Sequence, residues 1–293
     1  VKQGLRTVGV VAIACVLTAP ATAQQAPRFT AGTTGVRVDV LVTERNVPVP
    51  GLTAADFELR DSGVLQEIDV VESSDLPINV VLALDISGST GGGQLTDLVD
   101  AGRALVAGLR AHDRVALTTF DHAVSQRVPL TSDFSKVERT LAVLEPFGQT
   151  AILDGVHAAL MTTQAEPGRS LVIVFTDGRD TQSWLLADEV MEVAKRSNAV
   201  IYAVAAGSAR RWPELADLTR LTGGHTIEIE KRGDFRAEIV RVLEEFRSRY
   251  VLTFTPRGVT PGGFHALEVK VHRDGLRVRA RPGYMSDPVR GVR

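Results

Sequence analysis

Three short stretches of this 293-residue chain carry oxygen-bearing side chains where an apolar run stops or a helical pattern begins. Leu84-Asp85-Ile86-Ser87-Gly88-Ser89-Thr90 follows the run Val80-Val81-Leu82-Ala83 and presents a carboxylate and two hydroxyls at alternate positions. Thr150 stands in "FGQTAILDG", just before a helical pattern, and Asp177 closes the run in "LVIVFTDG". Such groups cost free energy when buried without partners. Two carboxylates and three hydroxyls, with no Cys and no His, are the donor set of a hard cation and suit an octahedral divalent site that keeps waters. Gly88 and the glycines from Gly91 to Gly93 let the loop backbone close around an ion.

Plainer roles exist for the same residues. Ser and Asp also cap helices and make turns, and one such cluster alone would be read that way, as a cap for the helix near Leu95. Three clusters at strand ends point instead to a shared ligand. Asp154 in "TAILDG" either stands behind the site and orients its loop or is a solvated helix-start carboxylate. Asp121 reads as a loop residue at the rim, and Asp180 as a helix N-terminal charge. The six histidines, His112, His122 and His157 among them, show no ligand spacing. Arg210-Arg211-Trp212 reads as a solvated helix start.

The elements that would position these residues follow from periodicity. From Pro77 onward, apolar strands alternate with helical stretches. Asn79–Asp85, Arg114–Phe120, Ser170–Thr176, Ala199–Ala205 and His225–Glu228 read as strands. Leu95–Leu109, Phe134–Leu144, Ala151–Thr163, Leu185–Arg196, Pro213–Thr222 and Phe235–Ser248 read as helices. Strands such as "LVIVF" and "VIYAVA" are apolar on both faces, as in a parallel sheet covered on both sides. The expected class is α/β, with a doubly wound, mostly parallel sheet, and ligands then belong beyond the carboxyl ends of its strands. On either side the period is two: Val36, Val38, Val40 and Val42 alternate with other residues, and Phe57–Arg60, Ile68–Val71, Tyr250–Thr255, Ala266–His272 and Leu276–Ala280 are short strand patterns. Each piece alone has few strands, so the expectation is one small β-sandwich-like domain built from 35–76 plus 249–285, with an α/β domain over 77–248 inserted and a tail over 286–293.

Lys plus Arg is 33 and Asp plus Glu is 35, so no basic field argues for nucleic acid. Lys2 and Arg6, the apolar run Val8–Leu17 and Ala21-Thr22-Ala23 read as a secretory signal cleaved after Ala23, followed by a linker over 24–34. The run is too short to span a bilayer, and no second apolar segment approaches that length. The expected location is therefore secreted or periplasmic. Cys15, the sole cysteine, falls inside the signal, so the mature chain would carry no disulfide. Acylation at Cys15 is the alternative, against which the preceding Ala12-Ile13-Ala14 is an imperfect lipobox.

Asp85-x-Ser87-x-Ser89, then Thr150, then Asp177 at a strand end resembles the metal-ion-dependent adhesion site of von Willebrand factor type A domains, across roughly 77–248. The flanks "VRVDVLVTERNVPVPG" and "VRARPGYM" resemble a wider group of secreted bacterial type A-related proteins. The resemblance implies Mg²⁺ (or Mn²⁺) held directly by Ser87, Ser89 and Thr150, and by Asp85 and Asp177 through water. It leaves the last position to an Asp or Glu carboxylate of a protein partner, which makes the chain a metal-dependent adhesion or assembly module and not an enzyme. Two other readings stand beside it. One is a structural scaffold without metal. The other is a phosphatase-like hydrolase with Asp85 as nucleophile, set back because Ser87 occupies the second position of an Asp-x-Asp motif; a Ser hydrolase would want G-x-S-x-G, which is absent.

Overall fold

The run that ends in Asp85 forms a strand with every residue buried, β6 (Ile78–Asp85), and the run that ends before Asp177 forms another, β9 (Arg169–Thr176). The computed structural model describes residues 35–71, 76–91, 93–164, 168–207, 212–229 and 235–286. The signal peptide and linker expected over 1–34 (with Cys15), Arg210-Arg211, and the tail beyond Ser286 lie outside the described residues.

In chain order the first strands are β1 (Val36–Glu44), β2 (Val47–Pro48), β3 (Phe57–Asp61), β4 (Val64–Gln66) and β5 (Ile68–Val71). After β6 come α1 (Gln94–Gly108), β7 (Arg114–Phe120), β8 (Val124–Thr131), α2 (Phe134–Leu141) and α3 (Ile152–Gln164). After β9 come α4 (Ala187–Arg196), β10 (Val200–Ala205), α5 (Pro213–Leu221), β11 (Thr226–Glu228) and α6 (Phe235–Arg247). The chain closes with β12 (Tyr250–Phe254), β13 (Gly263–Val271), β14 (Arg277–Arg279) and β15 (Gly283–Ser286).

The central sheet runs β11-β10-β9-β6-β7-β8 and is parallel except for β8. Alternation on β6 sends Val80, Leu82 and Leu84 to one side, against α1, α2 and α6. Val81 and Ala83 face the other side, against α3, α4 and α5. The fold is therefore doubly wound, as the two-face apolar strands predict. The strand order reverses at β6, whose neighbours are β9 and β7, so the carboxyl ends of β6 and β9 flank the topological switch point where such sheets bind ligands.

β8 was not among the sequence expectations. It lies at the edge, mostly half-buried or exposed, and carries Pro129. Pro in a strand pattern argues against a central strand but is tolerated at an edge or bulge. The β7–β8 register does slip between Val115 and Leu117, opposite Thr131 and Val128. The short strands β4 and β15 also escaped the sequence pattern.

Outside the central sheet, antiparallel strands from both ends of the chain pair with one another. One sheet runs β14-β1-β12-β5, with β2 on β1, and the other β15-β13-β3-β4. Val38, Val40 and Leu252 of the first sheet share a core with Phe57, Leu59 and Tyr284 of the second. Phe57 meets Tyr250 edge-on at 5.3 Å, and Phe254 meets Tyr284 at 6.4 Å. The sandwich meets the amino-terminal edge of the parallel sheet. Arg169, the first residue of β9, donates to Asp39 of β1 from Nε (2.8 Å) and Nη2 (2.6 Å), with both residues buried. Arg281 donates to the carbonyls of Lys195 and Ser197 at the end of α4, each at 2.7 Å. The carboxyl edge of the sheet is left at the opposite side.

Candidate functional site

Three loops at that carboxyl edge are bonded to each other through their backbones. Beyond β6 the chain stays against β7 for one more residue, with Ile86 N donating to Phe120 O at 2.9 Å. It then turns through a short 3-10 segment, Gly88–Thr90, in which Thr90 N and its hydroxyl both donate to Ser87 O. The loop before α3 packs on this turn: Phe147 N donates to Ile86 O (2.8 Å) and Gly88 N to Gly148 O (2.9 Å). Gly148 has φ +75°, and a Cβ there would lie 2.6 Å from His122 Nδ1, so both backbone conformation and space call for glycine. The loop after β9 completes the set, with Thr181 N and Gln182 N donating to Thr150 O at 2.9 and 3.1 Å.

The five sequence-derived residues are brought together by this frame. Asp85 is fully buried. Its Oδ1 accepts from Ser87 N (2.9 Å) and its Oδ2 from the Thr176 hydroxyl (2.6 Å). Ser87 Oγ lies 3.0 Å from Ser89 Oγ, and Ser89 Oγ donates to Asp177 Oδ1 at 2.7 Å. Thr150 is almost buried, and its Oγ1 borders Gly178, where a Cβ would come within 3.3 Å of it. The oxygens thus run from buried Asp85 and Ser87 to exposed Ser89 and half-exposed Asp177. Burial raises the Asp85 carboxyl to about 6; the bonds from Ser87 and Thr176 oppose the rise, and the charge of Asp177 adds to it.

The neighbouring carboxylates bond to the backbone of the same loops. Asp154 accepts from Trp184 N and Leu185 N, each at 3.0 Å, and so holds the loop after β9. Asp180 accepts from Leu153 N at 2.9 Å, placing a carboxylate on the first turn of α3, not of the helix that follows it in sequence. Asp121 closes its own turn by accepting from Ala123 N, and its carbonyl accepts from Ala151 N. His122 stacks edge-on with Phe147 at 5.3 Å. Thr176 was missed. Its signal was its place beside Asp177, but its role depends on Asp85 lying on the adjacent strand.

Residues 80–179 match the family profile of the von Willebrand factor type A domain, a span that contains all five residues. The chain carries a von Willebrand factor type A domain. An uncharacterized protein of Borreliella burgdorferi is 26% identical over 143 residues, which are 46% of this chain and 42% of the relative. The chain thus spans less than half the length of that curated relative. Among solved structures, a von Willebrand factor type A protein from Catenulispora acidiphila superposes with a TM-score of 0.53 at 10% identity, over 88% of this chain and 74% of the other. A variant of the PilB minor pilin from Streptococcus sanguinis does so with a TM-score of 0.50 at 12% identity, over 59% and 62%. At these identities the solved structures show the shared fold.

Proposed function

We propose that the chain is a metal-dependent protein-binding module of the cell exterior. Its ion is Mg²⁺ (or Mn²⁺), held by Ser87, Ser89 and Thr150 directly and by Asp85 and Asp177 through water. The observation that carries this reading is the chain of contacts from Asp85 through Ser87 and Ser89 to Asp177 at the switch point, with Thr150 beside the neighbouring Gly178. Neighbouring ligands of an octahedral Mg²⁺, each about 2.0–2.1 Å from the ion, stand about 3 Å apart; Ser87 Oγ and Ser89 Oγ are 3.0 Å apart. The buried Asp85 carboxylate, disfavoured as an anion by its surroundings, is also the kind of group a cation stabilises. When bound, the ion supplies a positive centre on which the Asp or Glu carboxylate of a protein partner can complete the coordination sphere.

The chain's own residues suit such docking. Ser89 is exposed and Asp177 half-exposed, so the outer side of the site is open. Phe147 and Trp184, in the loops bonded around Thr150, are 65% and 88% exposed, and aromatic side chains of this kind are enriched in protein interfaces. Arg179 beside Asp177 is exposed and suits an acidic partner. A minor pilin among the structural neighbours is compatible with assembly at a cell surface. Binding without turnover is the simplest use of these groups, because Ser87 replaces the acid/base that a phosphatase-like Asp85 would need.

One observation favours a metal-free scaffold: Ser89 already donates to Asp177, and Thr176 to Asp85. Calorimetric titration of Mg²⁺ and Mn²⁺ into the chain and into a Ser87→Ala/Ser89→Ala variant separates the two. The module reading expects saturable one-site binding, weakened at least about a hundredfold in the variant by loss of two ligands, and partner capture that a chelator abolishes. The scaffold reading expects no metal heat and a variant that is merely less stable.

A further inference from the structure

Arginines gather where the sandwich meets the parallel sheet, far from the oxygen cluster. Arg169 has Asp39. Arg249, fully buried, donates to Tyr202 Oη and Gly223 O, each at 2.7 Å, and has Glu245 at 3.9 Å, a carboxylate also within 3.6 Å of Arg279 and of His225. Arg281, 6% exposed, donates to three backbone carbonyls, from Nε to Gly283 O, from Nη1 to Ser197 O and from Nη2 to Lys195 O, each at 2.7 Å. Arg37 Nη2 donates to Gly168 O at 2.5 Å, while its Nε is buried with no hydrogen-bond partner. Among the described residues neither Arg37 nor Arg281 has a carboxylate within ion-pair distance, although the charge of Asp39, already bonded to Arg169, also acts on Arg281. A guanidinium stays protonated in proteins, and a buried one such as Arg281 is costly where its counter-charge is shared with another arginine.

Both residues line one cleft, with a volume of about 260 Å³. Its other polar walls are Lys195 and Arg196 from the last turn of α4, Asn198, and Ser286 of β15; among the described residues no carboxylate lines it. Lys195 pairs with Glu192, also on α4, at 2.5 Å. Some of this positive charge offsets the negative end of α4, but Arg37 comes from β1 and Arg281 from the segment before β15, so the helix end alone does not account for it.

We propose that this cleft binds a small oxyanion, a phosphate or phosphate monoester, whose charge is balanced by the cations of its wall, Arg37, Lys195, Arg196 and Arg281. Planar guanidinium forks match tetrahedral oxyanions, and several cations around one cleft, with no carboxylate among its described walls, favour a dianion over a single carboxylate. The volume is below the roughly 300–1,000 Å³ of sites for larger organic ligands, which leaves room for a phosphate and a few further atoms. The phosphate can belong to a free monoester or to a lipid headgroup.

The test is run in chelator, so that it is independent of any metal at the oxygen cluster. Inorganic phosphate and glycerol 3-phosphate are titrated calorimetrically into the full chain at constant ionic strength, and co-sedimentation is measured with phosphatidic acid vesicles against phosphatidylcholine vesicles. The proposal expects one saturable site and a raised melting temperature. Arg37→Gln/Lys195→Gln should weaken binding by about tenfold or more, the scale of one charge-assisted hydrogen bond. Arg281 is left untouched because its carbonyl bonds tie α4 to the sandwich. If the double variant unfolds, Lys195→Gln alone must still weaken binding. Binding to free monoesters assigns a soluble ligand; binding confined to phosphatidic acid vesicles and lowered by the variant assigns a headgroup. No saturable binding in either arm, or equal binding by wild type and variant, overturns the proposal.

Discussion

Asp85 is the residue on which stability and ligation meet. Its carboxyl titrates near 6 in the fold against an ordinary 3.8, with burial as the main cause. The folded state therefore holds this proton more tightly than the unfolded chain. The group's contribution to stability is greatest below pH 4 and is lost as pH rises through 6. His225 acts in the opposite sense: burial lowers it from 6.5 to about 4, so its contribution is present above 6.5 and is lost as pH falls towards 4. The two slopes oppose each other across pH 4–6. In metal-free Asp85→Asn, melting temperature should fall more steeply on acidification than in wild type, because the gain from Asp85 no longer offsets the loss from His225. At pH 7 in chelator, Asp85→Asn should be the more stable protein, by on the order of 2 kcal/mol, and under the proposed function it should gain nothing from added Mg²⁺. Equal pH profiles for the two proteins would refute this account of Asp85.

At the level of elements, α3 and β1 carry the arrangement. Gly155 lets α3 lie on β7, since a Cβ there would fall 2.5 Å from the Phe120 ring. Overpacking of this kind costs about 1–3 kcal/mol. Because the neighbouring Asp154 holds the backbone of Trp184 and Leu185, Gly155→Ala should lower the urea midpoint and, if the cluster binds Mg²⁺, also weaken that binding. β1 contributes Asp39 to a junction rich in arginine. Removing one partner of a buried pair costs about 3–5 kcal/mol when it leaves a bare charge. Asp39→Asn leaves Arg169 bare beside Arg249 and Arg37, whose charges already disfavour its own. Arg169→Met leaves Asp39 among the remaining cations. Urea denaturation should therefore show Asp39→Asn to be more damaging than Arg169→Met, and the reverse order would contradict the charge imbalance drawn at this junction.

Over the whole molecule, the oxygen cluster and the arginine junction lie at opposite edges of one parallel sheet. Contacts group Thr34–Arg293 into one compact unit. Strands from both ends of the chain close the sandwich, and buried bonds from Arg169, Arg249 and Arg281 tie it to the sheet. Unfolding the sandwich alone would strip these groups of their partners. We expect a single cooperative thermal transition, with the calorimetric and van't Hoff enthalpies in agreement. Trp184 and Trp212 lie in the α/β part, so their fluorescence should change at the same midpoint as far-UV circular dichroism, which also senses the sandwich strands. Separate midpoints would mean that the junction is weaker than its buried pairs imply.

Much of this was legible along the chain because the signals are local. Runs such as "LVIVF", buried on both faces, can only be interior strands, and their alternation with helical patterns specifies a covered parallel sheet. Asp85, Ser87, Ser89 and Asp177 could be picked out because polar side chains stand where buried strands end, and Thr150 because it stands just before a helix. What the tertiary structure alone decided is who meets whom. Ser89 reaches Asp177 and Thr176 reaches Asp85 only because β6 and β9, which lie far apart in the chain, are neighbours in the sheet. β8 had no readable pattern, since an edge strand with Pro129 lacks the burial that creates one. The junction was equally silent. Arg37, Arg169, Arg249 and Arg281 are scattered in sequence and look like surface residues, and periodicity reports how a residue sits on its own element, not which distant element packs against it. The chain by itself determined the elements and the oxygen-bearing strand ends. Long-range packing alone brought those oxygens together and gathered Arg37, Lys195, Arg196 and Arg281 around one cleft.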